Sequence, residues 1–336
     1  MDRIVVIGAS AGGVSALESL VAGLPPDYPA AVLIVLHISP MHKSLLADVL
    51  SAAGPLRVGP PVDGETLSAG RIYVAPPDRH LMVDDDCVRI TRGPKENHFR
   101  PSIDVLFRSA AYHYGSSAIG VVLSGSLSDG SSGLFAIRRL GGIAIVQDPE
   151  EALYNSMPVS AISRVDVDYT LPAREIGRLL STIVQQDIRS EPADARDYRN
   201  DLKLDIDAAG SRPPFERGIM QSGKPSSYTC PECHGVLYRL EEGVADRFRC
   251  HTGHGFSAAA LLEGFGDDVE ATLWRSVKTI HEASALLQES AAKMRGGGDA
   301  QGADAVAARA AELEERLQVL RVLARERGGL QEKQDI

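Results

Sequence analysis

The sequence predicts an α/β fold: a doubly wound, mostly parallel sheet flanked by helices, followed by a small zinc-ribbon-like module and a C-terminal helical hairpin. Three observations carry this. Short apolar runs alternate with stretches of helical spacing over residues 1–188. Three cysteines, Cys230, Cys233 and Cys250, cluster late in the chain. Beyond residue 263 the apolar residues settle into a helical 4-3 spacing. The predicted division is an α/β domain over 1–188, a linker over 189–227, a Cys/His module over 228–262 and a helical hairpin or coiled coil over 263–330.

The elements follow in order. Arg3-Ile4-Val5-Val6-Ile7 is an apolar, β-branched run, the signature of a buried parallel strand. It stops at Gly8-Ala9-Ser10-Ala11-Gly12-Gly13 and resumes as the helical Val14–Leu20. Pro25-Pro26 closes a loop, Ala31–Leu36 is a second buried strand ending in His37, and a helix is expected near Lys43–Ser51. Gly54–Gly70 reads as loop with short strands. Arg71–Ala75 is a strand closed by Pro76-Pro77. His80–Val83 and Cys87–Thr91 flank Asp84-Asp85-Asp86 as a hairpin with a solvated acidic tip. Asp104–Tyr114 is an amphipathic helix, Ala118–Leu123 a strand, Ser132–Leu140 a helix and Ile143–Val146 a further strand.

In such sheets function collects at the carboxyl ends of the strands. Ser10 follows the first strand, His37 the second, and Asp129 a later one. Gly8-x-Ser10-x-Gly12 has the shape of a nucleophile elbow, with the following helix start offering amide N–H groups to a developing oxyanion. Serine needs a base, which histidine supplies near neutral pH, and a carboxylate must hold the imidazole tautomer. The same turn also suits a phosphate-binding loop, although a serine replaces the middle glycine and His37 stands where an acid is wanted. His37 alone could be a satisfied strand-end histidine, and Asp129 before Gly130 a cap.

These stretches resemble the catalytic domain of the chemotaxis receptor methylesterase family (CheB). The resemblance rests on Ile7–Gly13, His37-Ile38-Ser39-Pro40, Tyr73–His80, Arg100–Ser109, Leu123-Ser124-Gly125 through Asp129-Gly130, and Gln147-Asp148-Pro149 through Met157-Pro158. It implies Ser10 as nucleophile, His37 as base and Asp129 as orienting acid. The backbone of Ala11 and Ser126 would form the oxyanion hole. It also implies a partner and substrate: glutamyl methyl esters, and in some members glutamine amides, on the cytoplasmic helices of a methyl-accepting chemoreceptor. The chain departs from the family at Ala11, often threonine, and at Ser126, often methionine. Most members carry a receiver domain ahead of the catalytic strand; this chain starts at that strand, so that control is expected to be absent. A methylesterase-like adaptor without turnover is the alternative reading.

A net charge of −10 over 336 residues argues against nucleic acid or an anionic membrane surface as partner. The longest apolar run, Ala30–Leu36, is too short for membrane insertion, and no leader precedes the first strand, so a cytoplasmic protein is expected. Cysteine clustering suits a metal in a reducing compartment better than a disulfide framework. Cys230-Pro231-Glu232-Cys233 has knuckle spacing, and Cys250-His251-Thr252-Gly253-His254 completes the set. The expected ligands of a structural zinc are Cys230, Cys233, Cys250 and His254, with His251 as the alternative fourth. No cofactor is expected for catalysis. Residues from Ser190 to Ser227 are polar and loop-like, hence the linker. The tail places Val269, Leu273, Val277, Ile280, Ser284, Leu287, Ala291 and Met294 on one helix face, breaks at Gly296-Gly297-Gly298, and resumes with Val306, Ala310, Leu313, Leu317, Leu320 and Ala324. A hairpin burying its own stripe is expected, with self-association or docking of a signalling partner as the alternative.

Overall fold

A computed structural model describes residues 2–38, 44–210, 223–242 and 245–326. The readings at Ser39-Pro40, Lys43, Arg212-Pro213-Pro214 and residues 327–330 lie outside the described residues. The chain divides into two compact units, Met1–Ala260 and Leu261–Ile336.

The first unit opens with β1 (Ile4–Ala9), α1 (Gly13–Val21), β2 (Ala31–Leu36), α2 (Leu46–Ala53), β3 (Arg57–Gly59) and β4 (Arg71–Val74). The hairpin β5 (His80–Asp84) and β6 (Cys87–Thr91) follows, then α3 (Ile103–Tyr114), β7 (Ala118–Val122), α4 (Ser131–Arg139), β8 (Ile143–Gln147), α5 (Ser156–Arg164), β9 (Tyr169–Leu171) and α6 (Ala173–Ile183). Seven strands form one sheet in the order β3-β4-β2-β1-β7-β8-β9, and every pairing in it is parallel. This is the doubly wound α/β fold that the sequence predicts.

The central strands are buried on both faces, which is why they read as unbroken apolar runs. Val5 and Ile7 pack with Leu17 and Leu20 of α1 on one face. Ile4 and Val6 pack with Ile103 and Phe107 of α3 on the other. Each such side chain contributes about 1.5–3 kcal/mol of transfer free energy. The register sets Gly8 beside both Val35 and Val122, so the carboxyl ends of β1, β2 and β7 finish level with one another.

The stretch read as a linker is corrected in two places. Residues Ala195–Ala209 form α7, whose Ala195 and Leu202 join the core under α3. The polar composition misled because this helix is held by charge as well as by apolar area: Asp205 is buried against Arg247 and Arg249. Lys224–Ser227, read as loop, lies in strand β10 (Lys224–Thr229), which pairs with β11 (Val236–Glu242). β12 (Ala245–Cys250) and β13 (Gly255–Ser257) complete a four-stranded antiparallel sheet. This Cys/His module belongs to the same compact unit as the seven-stranded sheet.

The second unit is a helical hairpin of α8 (Ala258–Gly296), from Leu261 onward, and α9 (Ala300–Arg325). Gly298 at φ +91 makes the turn. From Val277 onward the buried positions recur every seven residues, at Val277, Ser284 and Ala291 and again at Ala303, Ala310, Leu317 and Ala324. Small residues dominate that seam, so the two backbones approach closely enough for Ser284 Oγ to donate to the Ala310 carbonyl at 3.3 Å. Among the described residues no helix is long and apolar enough to cross a membrane.

Candidate active site

Ser10 sits one residue beyond β1, and its own N–H donates to the Ser124 carbonyl at 2.9 Å, tying the β1 and β7 ends together. The two outer glycines of the elbow act differently. Gly12 adopts φ +69, which only glycine takes readily, and starts α1. Gly8 lies inside the strand and is needed for space: a Cβ there would meet Ile103 Cγ2 at 2.2 Å. Ser124 Oγ donates to the Ala11 carbonyl at 2.8 Å and accepts from the Tyr154 amide at 3.0 Å, fixing the Ala11–Gly12 peptide.

His37 follows β2, and its N–H donates to the Ala9 carbonyl at 3.1 Å. Its Nδ1 lies 3.2 Å from Ser10 Oγ and its Nε2 lies 2.8 Å from Asp129 Oδ2. Phe99 stacks on the imidazole, with centroids 3.6 Å apart and planes 7° from parallel. Ser10, His37 and Asp129, separate in sequence, therefore meet in one hydrogen-bonded row.

Asp129 is 1% exposed. Its Oδ2 accepts from His37 Nε2 and from the Ile103 N–H at 2.7 Å. Its Oδ1 accepts from Asn97 Nδ2 at 2.9 Å, Ser102 Oγ at 3.0 Å and the Asp104 N–H at 3.2 Å. The carboxylate thus caps the N-terminus of α3, where unpaired amides and the helix dipole favour an anion. Burial alone would raise its pKa. The hydrogen bond and charge of His37, with the Asn97 and Ile103 donors, more than offset this and hold it at about 2. An ionised carboxylate only accepts, so His37 Nε2 carries a proton, and in the neutral ring Nδ1 faces Ser10 as an acceptor.

Neighbouring Asp104 behaves oppositely: burial, then the adjacent Asp129 charge, raise it to about 8. Buried His80 is pushed down to about 4 by desolvation. The neutral ring donates from Nε2 to the Pro94 carbonyl and accepts at Nδ1 from the Ser102 N–H. These contacts hold the two ends of the loop between β6 and α3.

A cleft of about 490 Å³ opens on Ser10, Ala11 and His37, walled by Asp78, Lys95, His98, Phe99 and Arg100. Ser126 is exposed, one residue past Gly125, where a Cβ would come within 2.9 Å of Ser10 Cβ. The sequence reading missed Asn97, Phe99, Ser102 and Ser124 as parts of this site. Ser102 and Ser124 lie within stretches that carry the family resemblance; the roles of Asn97 and Phe99 depend on contacts across the fold.

The metal candidates also converge. The ligand atoms of Cys230, Cys233, Cys250 and His254 all lie within 4.8 Å of one another. Cys233 Sγ is 3.6 Å from Cys250 Sγ, and His254 Nδ1 is 3.7 Å from Cys230 Sγ and 3.6 Å from Cys250 Sγ. A tetrahedral zinc with Zn–S of about 2.3 Å and Zn–N of about 2.0 Å has edges of roughly 3.5–3.8 Å, so the four donors fit that ion. His251 instead lies against Gly235, outside the set.

The sequence model of the family described as CheB methylesterase matches residues 5–180, just over half of the 336. A protein-glutamate methylesterase/protein-glutamine glutaminase of Anaeromyxobacter dehalogenans is 39% identical over 183 residues, 54% of each chain. A relative from Leptospira interrogans, given the same two activities provisionally, is 37% identical over 185 residues, covering 55% of this chain and 96% of that one. The chain thus spans nearly all of one of these relatives and about half of the other. The crystal structure of the Thermotoga maritima CheB methylesterase catalytic domain superposes with a TM-score of 0.53 at 35% identity, covering 55% of this chain and 100% of that domain. Fold, sequence match and relatives agree, and the chain belongs to the CheB methylesterase family.

Proposed function

We propose that this protein is a cytoplasmic serine esterase that hydrolyses glutamyl methyl esters, and by the same chemistry glutamine amides, on the helices of a methyl-accepting chemoreceptor. The observation that carries the reading is the continuous row Ser10 Oγ–His37–Asp129, with spacings of 3.2 and 2.8 Å, in a chain of this family.

Ser10 Oγ attacks the ester carbonyl while His37 Nδ1 takes its proton, and Asp129 stabilises the imidazolium through Nε2–H. The tetrahedral oxyanion is held by the backbone N–H groups of Ala11 and Ser126. Collapse breaks the C–O bond to methoxide, which leaves as methanol with the proton from His37. Water then gives a proton to His37, attacks the acyl-serine, and releases glutamate as the proton returns to Ser10. Amide substrates follow the same path with ammonia leaving.

Cys230, Cys233, Cys250 and His254 would hold a structural zinc; with four protein ligands it would brace the module rather than meet a substrate. The test is methanol release from a methylated chemoreceptor fragment, comparing the native protein with Ser10→Ala. Release that vanishes in the variant is expected; a folded native protein that releases none would favour an adaptor.

A further inference from the structure

The loop Glu96–Phe99 is a tight turn, closed by Glu96 N–H to the Phe99 carbonyl at 3.1 Å and Phe99 N–H to the Glu96 carbonyl at 2.9 Å. One side of it meets two members of the catalytic row: Asn97 donates to Asp129, and Phe99 stacks on His37. Its other side is docked on the Cys/His module. The Asn97 N–H donates to the Gly255 carbonyl at 2.8 Å, and Asn97 Oδ1 accepts from the Ser257 N–H at 2.8 Å. Glu96 is buried between Arg108 of α3 and Arg249 of β12. Lys95 reaches Glu232, within the Cys230–Cys233 knuckle, at 3.2 Å.

Asn97 is 2% exposed and sits at φ +50. Its second amide contact is Asp104 Oδ2 at 2.9 Å, so the side chain is held on three sides. The strand that grips it, β13, begins directly after His254 and pairs with β12, which ends at Cys250. Two of the four metal donors therefore bracket the turn that leads into β13, the strand that orients Asn97.

We propose that Asn97 is a positioning residue for Asp129, and that zinc bound by Cys230, Cys233, Cys250 and His254 keeps it in place, making the Cys/His module a metal-dependent support of the active site. The inference rests on the reading of Asp129 as the orienting acid. Loss of the ion frees the β12–β13 turn, β13 slackens, and Asn97 loses the partners that aim its amide at the carboxylate. The imidazole then loses its fixed orientation, so kcat falls; in Asn97→Ala, which leaves the cleft walls in place, KM does not change.

The experiment uses the full zinc-loaded chain and compares it with Asn97→Ala, Cys233→Ser and the double variant. Bound zinc, kcat and KM for methanol release, and the low-field proton resonance of His37 Nε2–H are measured. Asn97→Ala is expected to keep its zinc, to lose roughly 10- to 100-fold in kcat at little changed KM, and to shift or lose the low-field resonance. Cys233→Ser is expected to lose zinc and show the same losses, with the double variant no worse than either single one. Full kcat in either single variant, or losses that multiply in the double variant, overturns the coupling. Asn97→Ala leaves all four ligands in place and decides the matter if Cys233→Ser does not fold. Should the native protein release no methanol, the esterase reading fails separately. The resonance still decides: unchanged in Asn97→Ala and in Cys233→Ser, it overturns the proposal.

Discussion

Replacing Asp129 by asparagine changes one atom and should remove almost all turnover. The carboxylate accepts five hydrogen bonds, two on Oδ2 and three on Oδ1. An amide has one oxygen, and its NH₂ must face one of these sides. Both sides carry a backbone N–H fixed by the start of α3, from Ile103 and from Asp104. Facing Oδ1's partners, the NH₂ opposes three donors; facing Oδ2's, it opposes Ile103 and His37. On the Oδ1 side the Ser102 hydroxyl can turn to accept, leaving two donors opposed; on the Oδ2 side His37 adapts by moving its proton to Nδ1, leaving one, and that proton then points at Ser10. The base is lost while the shape of the site is kept. The same tautomer fault in a Ser-His-Asp protease costs about 10⁴ in kcat, so a drop of roughly 10³–10⁴ at little changed KM is expected for methanol release. The buried Ile103 N–H left without an acceptor costs about 1–3 kcal/mol, readable as a lower urea midpoint. A kcat within tenfold of the native value would show that Asp129 does not orient His37. The pH dependence has a definite sign. The Asp129 pKa is lowered on folding, so its contribution to stability is present above pH 3.8 and is lost as pH falls through about 2.

Two further predictions follow from groups beside the row. His80 has its pKa lowered from 6.5 to about 4, first by burial. Its contribution is therefore present above pH 6.5 and is lost as pH falls through 4, at most about 3 kcal/mol. His80→Gln should be less stable at pH 7 yet lose less stability between pH 6.5 and 4; parallel pH–stability curves from denaturant titrations would contradict this. Gly8→Ala drives a methyl into Ile103 at 2.2 Å, and Ile103 holds Asp129 through its N–H. The variant should lose about 1–3 kcal/mol by overpacking and should also lose kcat, whereas a stability loss with unchanged kcat would uncouple Ile103 from the carboxylate.

The parts of the fold legible in the sequence are those where one chemical signal dominates. β1, β2, β7 and β8 are buried on both faces, so continuous apolar runs reveal them. The edge strands β3 and β9 have three residues each and are partly exposed, so no period stands out. α7 stayed hidden because its anchoring Asp205 finds Arg247 and Arg249 more than forty residues away. Ser10, His37 and Asp129 were legible because strand ends carry chemistry in such sheets. The clustering of Cys230, Cys233, Cys250 and His254, which could hold a metal, was legible from spacing. Asn97 and Phe99 were not, because an amide at a turn acquires meaning only once β13 has been folded against it.

The contact between Asn97 and Ser257 spans 160 residues, and this has a bearing on synthesis. A ribosome delivers Ser10, His37 and Asp129 early, and the seven-stranded sheet has all its strands and helices α1–α6 once residue 183 is free. Ser257 emerges 74 residues later, which at 5–20 residues per second is about 4–15 s. During that interval the α/β layer on the nascent chain has Ser10, His37 and Asp129 but lacks the Ser257 N–H that holds Asn97. The last strand of the Cys/His module supplies that N–H, so the Asn97 contact forms only after the sheet is complete.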